Sequence, residues 1–181
     1  MALCYRGRLV ACALGVVLLC LLIAPVASSA PASARARSVT ALNNQILREV
    51  NRVRVQKHLQ PLVASIQLAG AAAEHSRSMA SAGYFRHESA DGSAFWRRIQ
   101  RHYSASGFHF WAVGENLVWT SPDLTAKQAV QIWMKSPPHR ANLLSKRWHQ
   151  IGLAAVHSAS APGSYQNRAV TIVTADFGVR R

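Results

Sequence analysis

The apolar residues of this chain change period in its tail, and the order of the two periods limits what it can fold into. Between residues 41 and 58, Leu42, Ile46, Val50 and Val53 recur at spacings of four, four and three, a helical stripe with Thr40 placed as its N-cap. After the break at Pro61, Leu68, Ala72, His75 and Met79 follow at four, three and four, with Gly83 standing where a helix C-cap belongs. Two further helices are expected over Phe95–Tyr103 and Ala126–Met134. The second is opened by Thr125 with Gln128 as a capping box and ended by Pro137-Pro138. The tail then reads differently. Ile151–Val156 and Ala169–Phe177 are short β-branched or apolar runs on either side of a Ser/Ala/Pro/Gly/Asn loop, the pattern of two antiparallel strands, and Val113–Trp119 is a further extended stretch. Helices lead and strands follow, which predicts an α+β fold, an α-β-α sandwich with a small antiparallel sheet covered by helices. It excludes a doubly wound parallel sheet.

The N-terminal segment stands apart from this domain. Arg6 and Arg8 precede an uncharged apolar run from Leu9 to Val26, followed by Ala32-Ser33-Ala34, small residues of the kind a signal peptidase requires. Residues 1–34 therefore read as a signal peptide, 35–40 as a short linker and 41–181 as the domain. An uncleaved run of this length would instead anchor the chain, since ~17–25 apolar residues span a bilayer. All three cysteines, Cys4, Cys12 and Cys20, lie in the leader, so the exported domain has no internal disulfide, thiolate metal site or cysteine nucleophile.

Charge indicates where such a domain would work. Taking Arg6 and Arg8 from the 21 basic residues leaves 19 against 7 acidic ones, a formal charge of +12 for the exported form. Outside a cell that favours teichoic acids, anionic phospholipid surfaces and extracellular DNA. The basic residues are spread over three segments and are not interleaved with aromatics, which argues against a nucleic-acid face and for surface adhesion or solubility.

Five segments in fixed order carry a further signal: Ala73-Glu74-His75-Ser76 with Met79; Tyr84-Phe85-Arg86-His87; Gly114-Glu115-Asn116-Leu117; Trp133 through Leu144, containing Ser136-Pro137-Pro138-His139-Arg140-Ala141-Asn142; and Ile151-Gly152-Leu153. Together they resemble the bacterial branch of the CAP superfamily, the SCP-like extracellular domains. The resemblance implies an α-β-α sandwich, an extracellular location and a cleft centred on His87, Glu115 and His139. Many eukaryotic relatives carry a second glutamate where this chain has Ser136, so a mechanism needing paired carboxylates is not supported.

The residues themselves leave alternatives open. Two imidazoles and a carboxylate are ligands that a divalent ion such as zinc prefers, with His87 and His139 as the metal candidates. His87 could equally be a loop histidine bonded locally, His139 a packed first-turn residue, and Glu115 an acceptor for backbone N–H groups. Asn116, Ser136 and Arg140 are secondary candidates, Arg140 as a partner for Glu115. His75 reads as a packed core histidine and Glu74 as a solvent-facing or Arg-paired carboxylate. Phe108-His109-Phe110-Trp111 forms an aromatic loop suited to touching a ligand or a membrane. No Gly-x-Ser-x-Gly or His-Glu-x-x-His occurs, and Ser136 lacks an orienting acid, which disfavours a serine hydrolase. Three functions remain: a non-catalytic extracellular module binding a lipid, glycan or anionic cell-envelope component; a divalent-metal hydrolase using His87, Glu115 and His139; and a basic envelope adhesin. A membrane would be met only through the leader if it is retained.

Overall fold

The computed structural model describes residues 32–181, with residues 32–38 as backbone only. The apolar run of the expected leader and its three cysteines lie outside these residues. Helix α1 runs Ala32–Gln56, α2 Ile66–Ala82, α3 Phe95–His102, α4 Ala126–Lys135 and α5 Pro137–Leu144. The strands are β1 Val63–Ala64, β2 Trp111–Thr120, β3 Gln150–Ala161 and β4 Arg168–Arg180. Among the described residues no helix is long and apolar enough to cross a membrane.

The sheet order is β1-β3-β4-β2, antiparallel except that the two-residue β1 pairs parallel to β3. Central strand β4 is buried on both faces, because its odd and even residues enter different cores. Val173, Ala175, Phe177 and Val179 pack with α1, α4 and α5 around Trp133, while Val170 and Ile172 pack with Met79 and Tyr84 at the end of α2. The expected α-β-α sandwich is therefore observed. Each fully buried aliphatic side chain, such as Ile46 or Ile151, contributes roughly 1.5–3 kcal/mol by leaving water.

Three local differences have physical causes. Helix α1 runs unbroken through residues 35–40, so Thr40 lies inside it and does not cap it. Pro137-Pro138 ends α4 as expected, yet the same prolines occupy the first turn of α5, where a missing N–H costs nothing. Strands β3 and β4 each run several residues past the expected ends, because pairing with β4 carries β3, and pairing with β2 carries β4, beyond their apolar stretches. The Thr125–Gln128 capping box forms, and Gly83 takes the left-handed conformation (φ 73°) at the end of α2.

Two contacts set the position of the layers. A Cβ on Gly152 of β3 would lie 2.1 Å from the Ala69 nitrogen, so only glycine lets α2 rest directly on the sheet. On the opposite face the buried guanidinium of Arg54 donates to the Gln60 carbonyl (2.9 Å), to Leu143 (2.8 Å) and to Ser145 (3.0 Å). That satisfies carbonyls left open at the end of α5 and clamps this short helix to α1.

Candidate functional site

Strand β2 is the edge strand beside β4, and alternation sends its neighbouring side chains to opposite layers. Glu115 meets α2 and α3 on one side, whereas Asn116 reaches α5 on the other. The loop after α2 brings His87, and the first turn of α5 brings His139, to the same edge from opposite faces. No stretch of sequence links them; the edge of the sheet does.

Glu115 is the hub, only 4% exposed. Its Oε1 accepts a 2.8 Å hydrogen bond from His87 Nδ1, and its Oε2 accepts from Arg98 of α3, itself buried. Arg98 also donates to the Ser89 hydroxyl at 3.0 Å, which ties the His87 loop to α3. Arg140, expected as the partner of Glu115, is exposed on α5, and Arg98 holds that place. The correction is one of geometry: Glu115 points toward α2 and α3, away from the α5 layer that carries Arg140.

The backbone around the carboxylate is held as firmly. Asn142 donates to the Glu115 carbonyl (3.1 Å) and to Asn116 Oδ1 (2.9 Å), and Asn116 donates to the His139 carbonyl (3.0 Å). These bonds fix α5, and with it His139, against β2. Ser136 links α4 to α5 half-buried, and its hydroxyl makes no capping hydrogen bond.

Two further groups complete the cluster. His75 is buried on α2, accepted as a donor by the Arg86 carbonyl (2.9 Å), with Nε2 4.0 Å from Glu115. Burial pushes its pKa down to about 4, so it stays neutral near neutral pH. Asp176 of β4 stands directly across from Glu115 in the sheet register and is fully buried. Neither of its oxygens meets a hydrogen-bond donor among the described residues. Burial, reinforced by the neighbouring Glu115 charge, holds Asp176 well above the usual carboxylate range and favours the neutral acid, whose proton Glu115 can accept.

The two surface imidazoles are pushed in opposite directions. The hydrogen bond to Glu115 raises the pKa of His87 and stabilises its charged form, whereas burial and the nearby His87 charge lower that of His139. The site thus presents one imidazole inclined to charge and one inclined to neutrality, above a buried Arg98–Glu115 pair. It suits a ligand carrying negative charge or hydrogen-bond acceptors.

The same geometry tests the metal reading. Both oxygens of Glu115 are engaged, His87 has only Nε2 left, and His139 Nδ1 is buried without a partner. Among the described residues no three His, Cys, Asp or Glu side chains are grouped to hold one ion. Two imidazoles fall short of the three protein ligands usual in a catalytic zinc site.

Arg98 and Asp176 are the members that sequence reasoning missed. Arg98 lies with Arg97 and Arg101 in one of the three basic segments, and nothing in that segment of sequence sets it apart from its neighbours. Asp176 did carry a signal, as the one acid inside the otherwise apolar and β-branched run of residues 169–177.

The fold recurs in known proteins. Residues 47–177 match the family model of the cysteine-rich secretory protein (CAP) family. The Bacillus subtilis protein YkwD is 30% identical over 143 residues, which cover 74% of this chain and 53% of that protein. An extracellular SCP-domain protein from Bacillus anthracis superposes with a TM-score of 0.65 at 25% identity, over 84% of this chain and 45% of that one. An outer surface protein of Borrelia burgdorferi shares the fold, with a TM-score of 0.58 at 20% identity over 75% of this chain and 90% of its own. The chain thus spans about half the length of the two Bacillus proteins. With the family model matching residues 47–177, most of the described domain, the chain belongs to the cysteine-rich secretory protein (CAP) family.

Proposed function

We propose that this chain is an extracellular, non-catalytic binding module whose His87–His139 cleft takes up an anionic component of the cell envelope. The observation that carries this reading is the complete engagement of buried Glu115 by Arg98 and His87, which leaves that carboxylate no free oxygen to act as a general base or to ligate a metal. Positive charge at the cleft mouth, from an imidazole held toward its protonated form, then selects for anions. The extracellular location is supported by the descriptions of the Bacillus anthracis and Borrelia burgdorferi proteins and by the expected leader.

A divalent-metal hydrolase is the second reading, favoured by the buried, unpartnered Nδ1 of His139. Imidazole NMR during titration with soluble poly(glycerol phosphate) tests the two together. Binding should shift the His87 and His139 resonances and be lost in a His87→Ala, His139→Ala variant. Zinc-dependent ester hydrolysis abolished by the same variant would overturn the proposal. Retention that ignores the variant and vanishes at ~0.5 M salt would instead assign the chain to general adhesion.

A further inference from the structure

A second surface, remote in the fold from the His87 cleft, has its own chemistry. It lies where β1, the start of β3 and the end of β4 meet the loop after α3. Phe108 and Phe110 are exposed there at 41% and 39%, beside Val63 of β1 at 63%. Arginines cover these rings: Arg180 lies 4.8 Å from the Phe108 centroid and 4.1 Å from that of Tyr103, and Arg181 lies 5.1 Å from that of Phe110. Phe110 and Arg181 exchange backbone hydrogen bonds of 2.9 and 3.1 Å, so the loop is fastened to the end of β4.

Between these groups opens a cleft of about 370 Å³, lined by Val63, Phe108, His149, Gln150, Val179 and Arg180. Its lining combines apolar Val63, Phe108 and Val179 with polar His149, Gln150 and Arg180. None of the seven acidic residues falls in segments 104–110, 145–150 or 177–181, which carry Lys146, Arg147, Arg180 and Arg181. Glu74, which contacts α3, is already paired with Arg101 and His102.

Exposed aromatic rings fixed under guanidinium groups, in a region without acids, match the interface of an anionic bilayer. The rings sit at headgroup depth and the cations meet phosphate. We propose that this end of the domain docks on an anionic phospholipid surface, with Phe108 and Phe110 entering the headgroup layer and Arg180 and Arg181 contacting lipid phosphates. The inference does not rest on the His87 cleft. It assigns a role to the aromatic loop that the cleft leaves unused.

The test uses residues 35–181, because the packed cores lie from Val39 onward and the family match begins at residue 47. The probes are vesicles of equimolar phosphatidylglycerol and phosphatidylcholine, with pure phosphatidylcholine as the comparison, at ~0.1 M salt. The parent should sediment with the anionic vesicles only. The Phe108→Ser, Phe110→Ser pair should lose roughly tenfold or more in partitioning, and Arg180→Gln with Arg181→Gln a similar factor, at roughly fivefold for each basic residue near the surface. His87→Ala with His139→Ala should bind vesicles like the parent. Thermal melting accompanies each variant, and the exposed phenylalanine pair decides the matter if the arginine variant does not fold. Unchanged binding by the phenylalanine variant would overturn the proposal, as would binding to soluble poly(glycerol phosphate) without binding to vesicles.

Discussion

Replacing Arg98 with methionine should do more damage than any substitution at the surface of the cleft. Met fills much of the side-chain volume of Arg98 but leaves Glu115 buried without its guanidinium partner, while Ser89 loses its 3.0 Å contact. Breaking one half of a buried ion pair costs about 3–5 kcal/mol, because the remaining charge stays out of water. A second route bounds the figure. Glu115 can escape by taking up a proton, and protonating an ordinary glutamate, with a pKa of ~4.3, costs ~4 kcal/mol at pH 7. The two routes agree on a loss of ~4 kcal/mol, or ~8–16 °C in melting temperature for a domain of this size. Urea unfolding followed by tryptophan fluorescence at pH 7 reads it directly. The loss should shrink as pH falls toward ~4, where the unfolded chain also protonates its glutamates. An Arg98→Met, Glu115→Leu double variant should recover most of the stability, since neither charge is then stranded. A single-variant loss under ~1 kcal/mol, or one indifferent to pH, would refute the buried pair as the organiser of the site.

Other consequences are separately measurable. Asp176→Asn keeps the shape and removes the need to protonate a buried acid, so it should stabilise the domain at pH 7 by at most ~4 kcal/mol, the cost of neutralising an ordinary aspartate there; destabilisation would mean that Asp176 is charged. Because the folded state holds that proton above the pH where the unfolded chain releases it, the gain should fade as pH approaches ~4. Imidazole titration by NMR should order the histidines with His87 above ordinary histidine, His139 below it and His75 at about 4; an inverted order of His87 and His139 would remove the Glu115 bond from the account. Gly152→Ala should destabilise by ~2 kcal/mol or more, read by thermal melting, since its methyl would meet the Ala69 nitrogen at 2.1 Å and α2 must move off the sheet.

Much of the architecture was legible because amphipathic period is a local property. Leu68, Ala72, His75 and Met79 mark the buried face of α2, and Ile151 with the run after Ala169 marks the paired strands, because each pattern reflects the one surface its element buries. The start of α1 was not, since backbone continuity from Ala32 through Thr40 overrides a good N-cap residue. Within the site, His87, Glu115 and His139 were identified through resemblance, and the structure brings them to one edge of the sheet. Their partners were harder to see. Arg98 sits two residues from exposed Trp96 in a helix with mostly exposed basic residues, and nothing local shows that its face is the one turned inward. The Glu115–Asp176 pairing depends on strand register between residues 61 positions apart, which no local pattern encodes.

The account turns on a charged His87 as the group that draws an anionic ligand into the cleft, and its affinity for poly(glycerol phosphate) across pH tests that most directly. Lysines and arginines hold their charge through neutral pH, so they cannot mimic the titration of an imidazole. Calorimetric titrations at fixed ionic strength should show binding that is strong at acidic pH and weakens as pH rises through the raised pKa of His87, with no such step in His87→Ala. Affinity that is flat across that range in the parent, or a step that survives in His87→Ala, would contradict it.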